Sequence, residues 1–257
     1  MLTSKEIENL LAKEEYAPIK RIKKKDLTDE QRQEVNTIES IVSFGEDIIT
    51  LFDFLLDLKE TLPTQKSFVD AGVNKMLSHL ATHKPEIEVT PIMVEACKLR
   101  LTRTYMSKVI ELHLEALVRE ELPQYKMILH PLIDSVMGID MILETEAKRH
   151  YIHVTSNTPM AINMLKRKES RGGYRVGKAY IPYNRDFSGD LVLKYDTNQD
   201  SVSTKIINGF PLFNAEFVVW RIELADMSVS FGESLNVPYS KLDHFNDWMK
   251  TYIPKAV

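Results

Sequence analysis

Cysteine is almost missing from this chain: Cys97 is the only one, so neither an intramolecular disulfide nor a cysteine-based zinc site can form. A reducing, cytoplasmic setting is the simplest expectation. No run of about 18 apolar residues occurs, and the opening MLTSKEIENLLAKEEY lacks the basic-then-apolar layout of a secretory signal. A soluble protein with no membrane partner is therefore expected. Neither GxSxG nor a Walker A loop is present, and GGYRVG lacks the strand-then-helix context of a dinucleotide fingerprint. An excess of positive charge is missing too, since 33 basic residues stand against 37 acidic ones, a net of −4 with a pI near 6.0. That argues against a uniformly basic nucleic-acid coat. It leaves room for a local basic groove, because phosphate binding depends on where the charges sit.

Glycine is scarce where helices are expected. Of the 9 glycines only Gly45 and Gly72 precede Gly138, which predicts a mostly helical first half and a second half richer in strands and turns. With 257 residues, 44% of them hydrophobic, the chain can bury a sizeable core. Between Asp29 and Glu60 the residues Val35, Ile38, Ile41, Val42, Ile48, Ile49, Phe52, Phe54 and Leu55 recur at three- and four-residue steps. This predicts one long amphipathic helix, with a break near Gly45 as the alternative. A second helix is expected over Gln65–His83, after Pro63. A third, about 30 residues long, opens with Thr90 as N-cap and Pro91 at the first position and stops at Pro123.

After Pro123 the period changes. Tyr125–His130, Gly138–Glu144 and His150–Ser156 read as strands, the last two joined by a polar turn. Asn157–Thr158–Pro159 caps a helix, MAINMLKRKESR, that stops at Gly172–Gly173; RVGKAYI, DLVLKYD, STKIING and the apolar AEFVVWRIEL follow as strand candidates, with DHFNDWMKTYI as a closing helix. SGD and NGF read as turns at Gly189 and Gly209. The expected fold class is α/β, a mixed sheet flanked by helices, with a helical subdomain over 1–89 fused onto a core over 90–257.

The informative stretch runs from Glu111 to Asn157. Side chains two apart on a strand face the same way. If the hairpin loop is Thr145–Lys148, Glu144 pairs with Arg149, and Asp140, His153 and Thr155 share one face. A shift of one residue would put Ile152 and Val154 on that face instead. This layout resembles the PD-(D/E)XK nuclease superfamily, most closely its restriction-endonuclease-like and Mrr-like members. There a helix carboxylate, an aspartate opening the second strand and a (Glu/Asp/Gln)-X-Lys triplet on the third surround one or two Mg²⁺ ions. Gly138–Ile139–Asp140 matches the aspartate motif, Glu111 sits where the helix carboxylate is expected, and the likeness covers about Lys108 to Lys168. The triplet departs from the pattern: it reads His153–Val154–Thr155, with threonine in place of the lysine.

The resemblance implies Glu111, Asp140 and His153 as ligands of Mg²⁺ or Mn²⁺, with Thr155 in the lysine position and a cation supplied by Lys108 or Lys166, or else a weakened site. Such an ion would polarise the phosphate and lower the pKa of its bound water. Glu144, two pleats from Asp140, lies too far along the strand for the same ion. The cluster Lys166, Arg167, Lys168, Arg171, Arg175 and Lys178, interleaved with Tyr174, Tyr180 and Tyr183, is a candidate phosphate-facing stripe, and Lys20–Lys25 a basic arm. The implied function is a metal-dependent DNA endonuclease with a restriction or phage-defence role, its N-terminal helices serving as a dimer surface or for DNA contacts. The alternatives are an inactive nuclease-like protein that binds nucleic acid or a protein partner, and an interaction protein whose helical half carries the function.

Overall fold

A computed structural model of the chain describes residues 1–16, 22–44, 50–129, 139–146, 148–170, 173–176, 179–182 and 190–231. Among the described residues five α-helices come first: α1 (Ser4–Leu11), α2 (Asp29–Phe44), α3 (Leu51–Lys59), α4 (Gln65–His83) and α5 (Pro91–Glu121). Within the stretch expected as helix across 29–60, Asp29–Phe44 and Leu51–Lys59 are helical, and residues 45–49, Gly45 among them, lie outside the described residues. Thr64 fixes the start of α4, its hydroxyl accepting from the Ser67 amide at 3.1 Å. Pro91 opens α5 as expected. Thr90 stands at the cap position but does not cap with its side chain; its hydroxyl donates to Glu34 Oε2 at 3.0 Å and so ties α5 to α2.

The second half holds β1 (Lys126–Ile128), β2 (Met141–Glu144), β3 (Arg149–Ser156), α6 (Pro159–Ser170), β4 (Gly173–Val176), β5 (Ala179–Pro182), β6 (Leu191–Tyr195), β7 (Thr204–Ile207), β8 (Phe210–Phe213) and α7 (Ala215–Phe231). One four-stranded sheet runs β1-β2-β3-β6, antiparallel through β3 and parallel between β3 and β6, with α6 and the β4–β5 hairpin in the crossover. The stretch RVGKAYI, expected as one strand, divides into the paired β4 and β5. A separate β7–β8 hairpin packs on α5. Its two-residue loop is Asn208–Gly209, both at positive φ, the conformation an Asn-Gly hairpin turn demands.

One expectation is corrected outright. AEFVVWRIEL is not a strand but the first part of α7. A run that is apolar on every side carries no period, so it reads equally as a buried strand or a buried helix, and its 17-residue extent is what a helix fills. The strand in this region is Phe210–Phe213, every residue of it buried. The closing helix expected over 243–253 lies outside the described residues.

A continuous apolar core joins Ile7 and Leu11 of α1, Phe52 of α3, Phe68 of α4 and Tyr105 of α5 to Leu143, Ile152 and Leu193 of the sheet, Phe213 of β8 and Ile222 of α7. Each such side chain stabilises the fold by about 1.5–3 kcal/mol when fully buried. Helices before residue 90 and elements after it thus share one interior. The buried Tyr105 hydroxyl finds the Pro63 carbonyl at 2.6 Å, as a buried phenol must if its polar atom is not to be stranded.

Candidate functional site

The hairpin that carries Asp140 has the expected register: Glu144 pairs with Arg149 and Met141 with Ile152. At Asp140 the ladder changes. Its amide donates to the Ile152 carbonyl at 2.9 Å, and its Oδ2 accepts from the Val154 amide at 2.6 Å. β2 begins only at Met141, so this carboxylate takes the place of the strand partner that β3 lacks at Val154. An acceptor for a strand amide lies in the plane of the sheet. Asp140 therefore stands at the sheet's edge, between its two faces.

Alternation along β3 then sorts the other candidates. Ile152, Val154 and Ser156 share a face with their β6 partners Leu191, Leu193 and Tyr195, the face that joins the core. His153 and Thr155 fall on the opposite face, with Val192 and Lys194. His153 is nearly buried there, and its Nε2 shares a hydrogen bond with Asp190 Oδ2 at 2.7 Å. The expected grouping of Asp140, His153 and Thr155 with Glu111 is thus split: Glu111 stands over one face, His153 and Thr155 on the other, and Asp140 in the plane between them.

Glu111 lies on α5 in a cleft of about 1090 Å³, whose lining includes Arg100, Arg103, Ser107 and Lys108 of α5, Ser156 at the end of β3, Tyr195 at the end of β6, and Thr197, Asn198 and Asn208 from the loops beyond. Lys108 Nζ donates to Glu111 Oε2 at 2.8 Å, one helical turn away, with both side chains partly shielded at 22% exposure. Tyr195 reports on the carboxylates. Burial, followed by the negative charges of Glu111 and Asp140, pushes its phenol up to about 12. Glu115, the next turn of α5, is pushed up to about 7 by burial and by the charges of Glu111 and Asp53.

Among the described residues three cations, Arg100, Arg103 and Lys108, line this cleft with one carboxylate, Glu111. A chain with a net charge of −4 thus presents a locally positive cleft. The rim is held in place from several sides. Asn208 Nδ2 donates to the Leu11 carbonyl at 2.9 Å and to that of Glu14, fastening the β7–β8 turn to the end of α1. The Asn157 amide meets the Tyr195 carbonyl at 2.7 Å and its Nδ2 meets Asp196 Oδ1 at 3.0 Å, continuing the parallel pairing past the strand ends.

The basic cluster reads differently. Lys166, Arg167 and Lys168 lie on α6 and Arg175 on β4, but their side chains, with Arg171 and Lys178 altogether, lie outside the described residues, as do Lys20 and Arg21 of the basic arm. Arg100, Arg103, Ser156 and Tyr195 were missed. Their signal was present in part: Arg100, Thr104 and Lys108 follow the four-residue step of a helical face, and Ser107 and Glu111 do the same one position round. Tyr195 carried none, because the pairing of β3 with β6 sets its place.

Among the described residues no group of three or more His, Cys, Asp or Glu side chains is gathered tightly enough to hold a metal ion. No family model, no curated protein and no solved structure matches this chain.

Proposed function

We propose that the protein is a nuclease-fold enzyme that hydrolyses phosphodiester bonds of DNA with Mg²⁺ or Mn²⁺, in the cleft between α5 and the end of the sheet. The observation that carries this reading is geometric: Glu111 lines the cleft with Ser156 and Tyr195 at the ends of β3 and β6, and the Asp140 carboxylate sits at the head of β2 against the Val154 amide of β3. The order of elements supports it: α5, an antiparallel β1-β2-β3 meander, the crossover helix α6 and a parallel β6 supply the helix carboxylate and the strand-opening aspartate in the sequence that the PD-(D/E)XK resemblance calls for.

In this reading Glu111 and Asp140 hold the ion, which would polarise the scissile phosphate and make a hydroxide available at neutral pH. Lys108, already in the cleft at hydrogen-bond distance from Glu111, provides the positive charge that Thr155 cannot. Arg100 and Arg103 draw the phosphate backbone along α5. His153 supports the sheet from its other face through Asp190. A plasmid-nicking assay with Mg²⁺ or Mn²⁺ tests the proposal. Wild type nicks and Asp140→Ala does not; equal nicking by both would remove Asp140 from the site.

One observation favours a second reading. The cleft-side face of β3 offers Val154 and Ser156, neither an acid nor a lysine. A protein that keeps the nuclease scaffold to hold nucleic acid without cutting it accounts for that face, and binding without nicking in the same assay would select it.

A further inference from the structure

The α5 wall of the cleft carries a guanidinium whose Nε has no acceptor among the described residues. Arg100 is partly buried there, and its Nε is shielded from water with no hydrogen-bond partner. Its neighbours on the helix differ, for Arg103 meets Glu39 at 3.4 Å and Lys108 meets Glu111 at 2.8 Å. Among the described residues Arg100 has no such pairing. The Tyr16 hydroxyl, lining the same cleft, is likewise buried without a hydrogen-bond partner. A shielded guanidinium N–H without an acceptor costs the fold stability. The planar fork of an arginine matches the oxygens of a phosphate.

We propose that Arg100 is a phosphate subsite, holding a backbone phosphate of a nucleic-acid strand that runs along α5 toward Glu111. The subsite rests on the strand-binding reading of the cleft given above. Eleven residues separate Arg100 from Glu111, about 16 Å at the α-helical rise. At about 3.4 Å per nucleotide in a stacked strand, that is roughly five nucleotides. A free nucleotide offers the same phosphate chemistry, but a row of three cations along the wall suits successive phosphates better than one.

The test is fluorescence anisotropy of a labelled 12-nucleotide single strand in EDTA, where no cleavage occurs, with the full chain as wild type, Arg100→Gln and Arg100→Lys. Arg100→Gln weakens binding about tenfold and lowers the slope of log affinity against log salt by about one. Arg100→Lys recovers part of the loss. The thermal midpoint of Arg100→Gln holds or rises, because a shielded N–H without an acceptor has been removed. Millimolar inorganic phosphate or thymidine monophosphate fails to displace the strand. Equal binding and equal slope in wild type and Arg100→Gln overturn the subsite alone. A lowered midpoint with unchanged binding assigns Arg100 to the fold instead. Displacement by inorganic phosphate overturns the strand in favour of a free phosphate ester. A wild type that binds no strand at all overturns the reading of the cleft on which the subsite rests.

Discussion

The Asp140 carboxylate accepts a hydrogen bond from the Val154 amide at 2.6 Å, at the place where β2 has stopped and β3 runs on. One oxygen of the side chain thus completes the sheet, while its charge reaches the Tyr195 hydroxyl beside Glu111. In the proposed function structural and chemical roles meet in Asp140, and substitutions can separate them. Asp140→Ala leaves the Val154 amide without its acceptor and lowers stability by about 1–3 kcal/mol. Asp140→Asn keeps an accepting oxygen and most of that stability but removes the charge. Urea melts beside nicking rates should therefore show Asn stable and inactive, and Ala both unstable and inactive.

His153 lies on the other face of the sheet, and its partner Asp190 is 5% exposed. His153→Ala removes the hydrogen bond to that carboxylate and should cost about 1–3 kcal/mol in a thermal or urea melt. Affinity for an oligonucleotide in the cleft should stay within about twofold of wild type at a temperature where both are folded. A large loss of affinity in a folded variant would return the histidine to the site.

Acid should loosen α1. Glu8 Oε1 on that helix lies 3.2 Å from His113 Nε2 on α5 and 2.5 Å from Lys205 Nζ on β7. Burial depresses His113 to about 4, outweighing the opposing pull of Glu8. Burial pushes Glu8 up, but Lys205 and His113 together hold it below its ordinary value. Both shifts have the same sign. The unfolded chain binds the histidine proton between about pH 6.5 and 4 and the folded one resists it, so stability is lost as pH falls through that window, and Glu8 adds to the loss below its ordinary range. Amide exchange, corrected for intrinsic rates, should show α1 less protected at pH 5 than at pH 7. Protection that rises on acidification would contradict the assignment.

Gly72 of α4 marks the closest approach of α4 to α5, for a Cβ there would lie 2.6 Å from Leu101 Cδ1. Gly72→Ala gains helix propensity of about 1 kcal/mol but forces the buried Leu101 to move. The net should be destabilising by about 1–2 kcal/mol in a denaturant melt. Stabilisation instead would mean that the leucine shifts freely.

How much of this was legible follows from what each signal depends on. The period of Gln65–His83 and the proline-bounded Pro91–Glu121 were readable because a helix is set by its own residues. The Glu144–Arg149 pairing followed from turn length alone. That His153 and Thr155 share one face, opposite Ile152 and Val154, was readable from alternation, but what lies on that face was not, since Asp190 and Val192 meet β3 only after a crossover of more than thirty residues. The setting of Asp140 was not readable, because its bond to Val154 exists only where β2 begins at Met141. The apolar segment at Ala215 had no period to distinguish strand from helix.

The most direct test of the central claim is a Mn²⁺ titration followed by electron paramagnetic resonance, comparing wild type with Glu111→Gln, Asp140→Asn and His153→Gln. The account predicts one bound ion in wild type, affinity at least about tenfold weaker in the first two variants, and wild-type affinity in the third. Unchanged affinity in Glu111→Gln and Asp140→Asn, or its loss in His153→Gln alone, would contradict it.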